Sequence, residues 1–305
     1  MKPSADTVQP RQSVLPPHLL ERLGGLDLIA RRVVRGFVAG AHPSVLRGAG
    51  EDFTRHRAYQ QGDDLRHLDW KLYARTDRLH VREFRQASRL RAFLVVDSSS
   101  SMDFAEPGGV SKSRYAAYVA AALAHLMLTA GDTVGLASFG AESRLLVAPR
   151  NRAGHLRRIL LELERLRCDG RQGAADVLDR VGNALRLGGR VVIISDLLEE
   201  GEGGDLLEGV GRLRARGDEV MVLRIATPLE LGERPLPPGL FYDPENPMRD
   251  IQAAPALDPG YSERVAAYYS SIGEGLRERG AEYVPMSTNV PVENALAAWL
   301  RARGG

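Results

Sequence analysis

Apolar runs ending in an acid punctuate this chain from residue 92 onward, and they set its predicted architecture. Ala92-Phe-Leu-Val-Val-Asp97 is apolar at every position before the aspartate, the pattern of a strand buried on both faces rather than on one. Arg190 to Asp196 repeats it, closing on Ile193-Ile-Ser-Asp196. Around these runs the apolar residues fall at helical spacing. The reading is strand 92–97, helix 113–130, strand 133–139, strand 144–148, helices 152–167 and 174–187, and strand 190–196. Helix 203–216, strand 219–226, helix 261–279, strand 282–286 and helix 291–302 follow. The short turn Gly140-Ala-Glu-Ser143 makes strand 144–148 antiparallel to its predecessor. Strands alternating with helices elsewhere predict an α/β fold with a doubly wound, mostly parallel sheet and one antiparallel edge strand.

The flanking segments carry a different pattern. Residues 1–15 are polar and without periodicity, which predicts a disordered tail. Residues 16–90 form an N-terminal extension, in which Leu19, Leu20, Leu23, Leu26, Ile29, Val33 and Phe37 mark an amphipathic helix interrupted near Gly24-Gly25. From Gly40 to Ser88 charge, glycine and aromatics crowd together, and an ordered but irregular segment is expected. The main domain occupies 91–305. Within it, 227–260 is studded with prolines and is read as a long connection.

Composition narrows the class without changing it. The hydrophobic fraction is 44% and the charged fraction 26%, ordinary for a soluble globular protein. A net charge of +2 gives no concentrated basic face for nucleic acid. Only Lys2, Lys71 and Lys112 are lysines among 41 basic residues. The lone Cys168 cannot form an internal disulfide and suits a reducing, cytoplasmic setting. The near-uncharged stretch Ala116 to Ala130 is shorter than the ~20 residues a membrane span needs, so it is read as a core helix.

Candidate chemistry sits at the strand ends, because doubly wound sheets bind ligands outside the carboxyl ends of their strands. Asp97 is followed by Ser98-Ser-Ser-Ser101, which puts hydroxyls at Ser99 and Ser101 where they can curl round a point shared with the carboxylate. Asp196 approaches from a neighbouring strand. Hard oxygen donors of this kind suit Mg²⁺ or Mn²⁺. The plainer alternative is an aspartate capping the next turn, with serines filling it.

Leu94 to Met102 resembles the metal-ion-dependent adhesion site of von Willebrand factor A domains, whose first loop reads Asp-x-Ser-x-Ser after a buried strand. Upstream, Gly50-Glu-Asp-Phe53, Arg57-x-Tyr59, Gly62-Asp-Asp-Leu-Arg66, Asp69-Trp-Lys71 and Ala74-Arg75 resemble the signature of the domain of unknown function 58 family. The resemblance implies a von Willebrand factor A-like domain over roughly 90–303 with an N-terminal extension. It implies Asp97, Ser99 and Ser101 as direct ligands of Mg²⁺ (or Mn²⁺), with Asp196 acting through water. It further implies a non-enzymatic protein-binding module with a protein partner, a MoxR-type AAA+ ATPase being the family's usual neighbour. The second loop departs from the pattern. Ala175 stands in Gln172-Gly-Ala-Ala-Asp176 where a threonine hydroxyl is expected, so metal binding should be weakened unless water or Asp176 fills the place.

Arg57, Tyr59, Asp63, Asp64, Arg66, Asp69, Trp70 and Arg75 form either a partner-reading surface or a buried network that locks the extension in place. No catalytic residue is assigned. A haloacid dehalogenase-type phosphatase needs a second aspartate where Ser99 stands, and Leu136-Ala-Ser138-Phe-Gly140 lacks the first glycine of a nucleophile elbow. A metal-dependent phosphoester hydrolase and a metal-free scaffold remain the alternatives.

Overall fold

The apolar runs form the strands they predict. The computed structural model describes residues 25–40, 52–60, 68–85, 90–140, 143–170, 173–185, 188–198, 204–234, 239–243, 246–253 and 260–303. Its ten strands are β1 (Asp52–Ala58), β2 (His80–Arg85), β3 (Arg91–Ser98), β4 (Thr133–Gly140), β5 (Arg144–Arg150), β6 (Arg190–Ser195), β7 (Glu219–Ala226), β8 (Gly239–Asp243), β9 (Asn246–Ala253) and β10 (Glu282–Ser287). The helices are α1 (Leu26–Gly40), α2 (Trp70–Thr76), α3 (Lys112–Thr129), α4 (His155–Arg165), α5 (Ala175–Leu185), α6 (Gly204–Ala215), α7 (Tyr261–Glu278) and α8 (Val292–Arg303), with a short 3₁₀ turn at Ser100–Asp103.

Six strands make the main sheet in the order β10-β7-β6-β3-β4-β5. All neighbours run parallel except β5, which pairs antiparallel with β4 at the edge. This is the expected doubly wound sheet with one antiparallel edge strand. Read from the other edge, the order of first appearance is 3-2-1-4-5-6, which reverses between β3 and β6.

Alternate residues of the central strands feed two cores. Leu94, Val96, Leu136, Val192 and Ile194 point to the face covered by α1, α3, α4 and α8, while Phe93, Val95, Val191 and Ile193 point to the face covered by α5, α6 and α7. Every residue of β3 after Arg91 is buried, as a strand covered on both sides requires. Each large aliphatic side chain removed from water this way contributes about 1.5–3 kcal/mol. In α3 the buried row Ala116, Ala117, Ala120, Ala121 and Ala124 brings the helix close to the sheet. The near-uncharged stretch that begins at Ala116 is thus a core helix, and among the described residues no helix is long and apolar enough to cross a membrane.

Helix α1 shares the first core. Leu26, Ile29, Ala30 and Val33 are buried there against α3 and α8, and the Leu26 backbone N–H donates to Glu164 at 3.3 Å.

Two regions are more regular than their sequences suggest. Part of the segment expected to be irregular pairs as β1 and β2, antiparallel. The proline-rich connection holds β8 and β9, also antiparallel. Neither pair lies in the main sheet, so neither shows the apolar runs or clean alternation that marks a core strand. Pro247 lies beside the register shift at the turn of the second pair, where a missing N–H costs little.

Candidate functional site

The order reversal between β3 and β6 sends the chain to opposite faces of the sheet after the two strands, the place where doubly wound sheets open a crevice at their carboxyl ends. Asp97 is the penultimate residue of β3, and Asp196 follows the last residue of β6. Both are buried. The first loop folds back on its own acid: Asp97 Oδ1 accepts from the Ser99 N–H at 2.8 Å, and the Ser99 and Ser101 hydroxyls lie 3.1 Å apart. Asp97 Oδ2 accepts from the Ser195 hydroxyl of β6 at 2.5 Å. The structure thus brings Asp97, Ser99 and Ser101 together, with Asp196 adjacent.

Close packing fixes this loop from the next strand. Gly140 at the end of β4 adopts φ +153°, and a Cβ there would sit 2.6 Å from the Ser98 carbonyl oxygen and hydroxyl. Ser98 Oγ donates to the Phe139 carbonyl at 2.7 Å. From the other side, the Asp169 N–H donates to Ser98 O at 3.0 Å and the Ser100 N–H to Gly170 O at 3.2 Å. A small cavity of about 80 Å³ adjoins Asp97, lined in part by Ser113, Arg114 and Cys168.

Electrostatics separates the two acids. Burial, then the charge of Asp196, pushes Asp97 up to about 7, with hydrogen bonds from Ser195 and Ser99 pulling the other way. Among the described residues no basic side chain pairs with it. Asp196 is compensated. Its Oδ2 accepts from the Lys112 ammonium at 2.7 Å, its Oδ1 from the Leu198 N–H at 3.1 Å, and its main-chain oxygen from the Tyr269 hydroxyl at 3.3 Å. The same ammonium is bonded to Glu230 Oε1. Burial alone would lower the Lys112 ammonium, but the charges of Asp196 and Glu230 outweigh it and hold it above its ordinary value.

The donor set fits a divalent cation in part. At the first loop a buried carboxylate without a basic partner faces two hydroxyls, which is the hard-oxygen set Mg²⁺ or Mn²⁺ takes. At Asp196 an ammonium already holds the oxygen. Asp176 lies exposed in the first turn of α5, behind the half-buried Ala175, and among the described residues no hydrogen bond ties it to the Asp97 loop. Among the described residues no group of three or more His, Cys, Asp or Glu side chains converges in a way that could hold a metal.

The N-terminal signature is described only in part. Asp63, Asp64 and Arg66 lie outside the described residues, and of Arg57 only the backbone, in β1, is described. The Tyr59 N–H donates to Leu79 O at 3.0 Å. Asp69 is buried and caps α2, accepting from the Leu72 N–H at 3.0 Å. Trp70 and Arg75 are on the surface, with Trp70 63% exposed and edge-on to Tyr73.

Lys112, Ser195 and Glu230 are site residues that the sequence pattern did not single out. Only Lys112 left a trace, as one of three lysines in an arginine-rich chain and the residue opening an apolar helix. Glu230 comes from a turn more than a hundred residues away.

Known proteins place the chain. It is similar to the protein Rv1480 of Mycobacterium tuberculosis (strain ATCC 25618 / H37Rv), 27% identical over 279 residues that cover 90% of this chain and 86% of that one. Among solved structures it is similar to BatB from Bacteroides thetaiotaomicron, with 16% identity, a TM-score of 0.47, and 70% of this chain and 98% of that one covered. The SpRpn10 VWA domain aligns with 12% identity and a TM-score of 0.42, over 68% of this chain and 94% of that one. The family described as protein of unknown function DUF58 matches residues 55–246, more than half of the sequence, and the chain belongs to that family.

Proposed function

We propose that this protein is a non-enzymatic binding module whose docking face is the loop cluster at the carboxyl ends of β3 and β6. The single observation that supports the reading is Asp97: a buried carboxylate that no basic side chain among the described residues pairs with, presented with the Ser99 and Ser101 hydroxyls at the carboxyl end of β3. Asp97, Ser99 and Ser101 would hold Mg²⁺ or Mn²⁺, and the bound ion would offer an open coordination position to an acidic side chain of a partner. The chain's own residues do the rest. Ser195 orients the Asp97 carboxylate, Gly140 lets β4 close against the loop, and the Ser98–Asp169 and Ser100–Gly170 bonds keep the loop from spreading.

The family resemblance suggests a MoxR-type AAA+ ATPase as the partner. The buried His155 donates from Nε2 to Val134 O at the start of β4, at the opposite end of the sheet from the Asp97 loop. The test is capture of a purified MoxR-type ATPase by the full chain with Mg²⁺ and with chelator. Capture that needs Mg²⁺ and is lost in Asp97→Ala supports the reading; capture unchanged by either defeats it.

A further inference from the structure

Lys112 is the first residue of α3, with Ser111 as its cap, and its side chain is wholly buried. That is a poor place for a cation. The amino end of a helix carries partial positive charge, and burial removes the ammonium's water. Two carboxylates offset both costs. Asp196 lies 2.7 Å from the ammonium, and Glu230 is bonded to it directly. Glu230 is itself held by the Thr227 N–H at 2.9 Å and the Thr227 hydroxyl at 3.1 Å. A second fastening lies alongside: Glu106, in the segment after Asp97, accepts from the Leu229 N–H at 2.5 Å and pairs with Arg234 at 3.1 Å.

Two carboxylates therefore meet one ammonium, and Asp97 is the acid left over. We propose that Lys112 is a built-in cation that stands at Asp196 in place of a divalent ion, fastens the turn 227–234 to the crevice, and leaves the Asp97 loop to bind metal without Asp196. A metal ion recruiting Asp196 would have to displace the ammonium from its 2.7 Å contact. A lysine suits the task because its charge is compact and needs no planar partner geometry. The inference rests on the proposed metal reading of the Asp97 loop only for its last clause.

The experiment measures Mn²⁺ binding to the purified full chain by the resonance of free Mn²⁺, for the wild type and for Asp97→Asn, Asp196→Asn, Lys112→Met and Lys112→Met/Asp196→Asn. Asp196→Asn is expected to stay within about 2-fold of wild type. Lys112→Met, which frees Asp196 and Glu230, is expected to bind about 10-fold tighter or more, and the double variant to lose that gain. The proposal is overturned if Asp196→Asn weakens binding as much as Asp97→Asn, or if Lys112→Met leaves affinity unchanged. Should wild type not bind Mn²⁺, the metal reading of the Asp97 loop fails while the gain in Lys112→Met still decides the role of Lys112. Should Lys112→Met not fold in chelator, recovery of its thermal transition by Mn²⁺ or by adding Asp196→Asn supports the proposal. Recovery by neither overturns it.

Discussion

Asp97 and Asp196 end neighbouring parallel strands, face the same crevice and are almost equally buried, yet they are treated in opposite ways. Asp97 has hydroxyls and a backbone N–H around it and, among the described residues, no cation; Asp196 has an ammonium against one oxygen. Burying a charge is costly unless it is paired, so the first acid is poised to gain a proton or a cation while the second is already satisfied. A motif that pairs two strand-end acids treats them as equivalent ligands. The difference in partners shows that one is a candidate binding group and the other the anchor of a buried ion-pair network.

The most severe way to break that contrast is to remove the anchor's partner. Lys112→Met in chelator should lower unfolding free energy by about 3–5 kcal/mol, since it strands Asp196 without its counter-charge, and denaturant unfolding would read the loss. Asp97→Asn should do the reverse. The Asp97 carboxyl is raised from 3.8 to about 7, so the folded state holds a proton that the unfolded state has lost across that window, and wild-type stability falls as pH rises through it. The variant cannot titrate. In chelator above neutral pH it should gain roughly 2–4 kcal/mol over wild type, with the gain vanishing at pH values below the ordinary carboxylate range; thermal melts across pH would show this.

Gly140→Ala tests the first loop alone. Its Cβ would meet Ser98 O at 2.6 Å, so about 1–3 kcal/mol of stability should be lost through overpacking. Mn²⁺ binding should weaken while the Lys112–Asp196 contact is kept, and a crystal structure of the variant would check that division. The smallest effect belongs at the far end of the sheet. Arg190 pairs with Glu219 at 2.6 Å on the surface, and Arg190→Ala should cost less than about 1 kcal/mol and leave Mn²⁺ binding unchanged.

Much of the fold was legible because burial on two faces leaves unbroken apolar runs. β3, β6 and β7 could be placed from those runs, and the Gly140–Ser143 turn foretold the antiparallel edge. The small antiparallel pairs β1–β2 and β8–β9 were not legible. Two-stranded ribbons outside the main sheet need no long apolar run, so arginines in the first and prolines near the second outweighed the weak strand pattern. At the site, the spacing Asp97-x-Ser99-x-Ser101 was legible because the three residues are local and their geometry follows from one turn.

The sequence by itself determined the sheet's parallel core, the placing of acids at two strand ends, and the hydroxyl loop after Asp97. Each of these depends on residues near one another along the chain. Tertiary structure alone decided which acid is free. Lys112 enters from the start of α3, Asp196 from the end of β6 and Glu230 from the turn after β7, and no periodicity links three such positions. Their meeting is fixed by packing α3 against the sheet, and in a buried site the Coulomb energy of an ammonium a few ångströms from a carboxylate is large enough to set that acid's role.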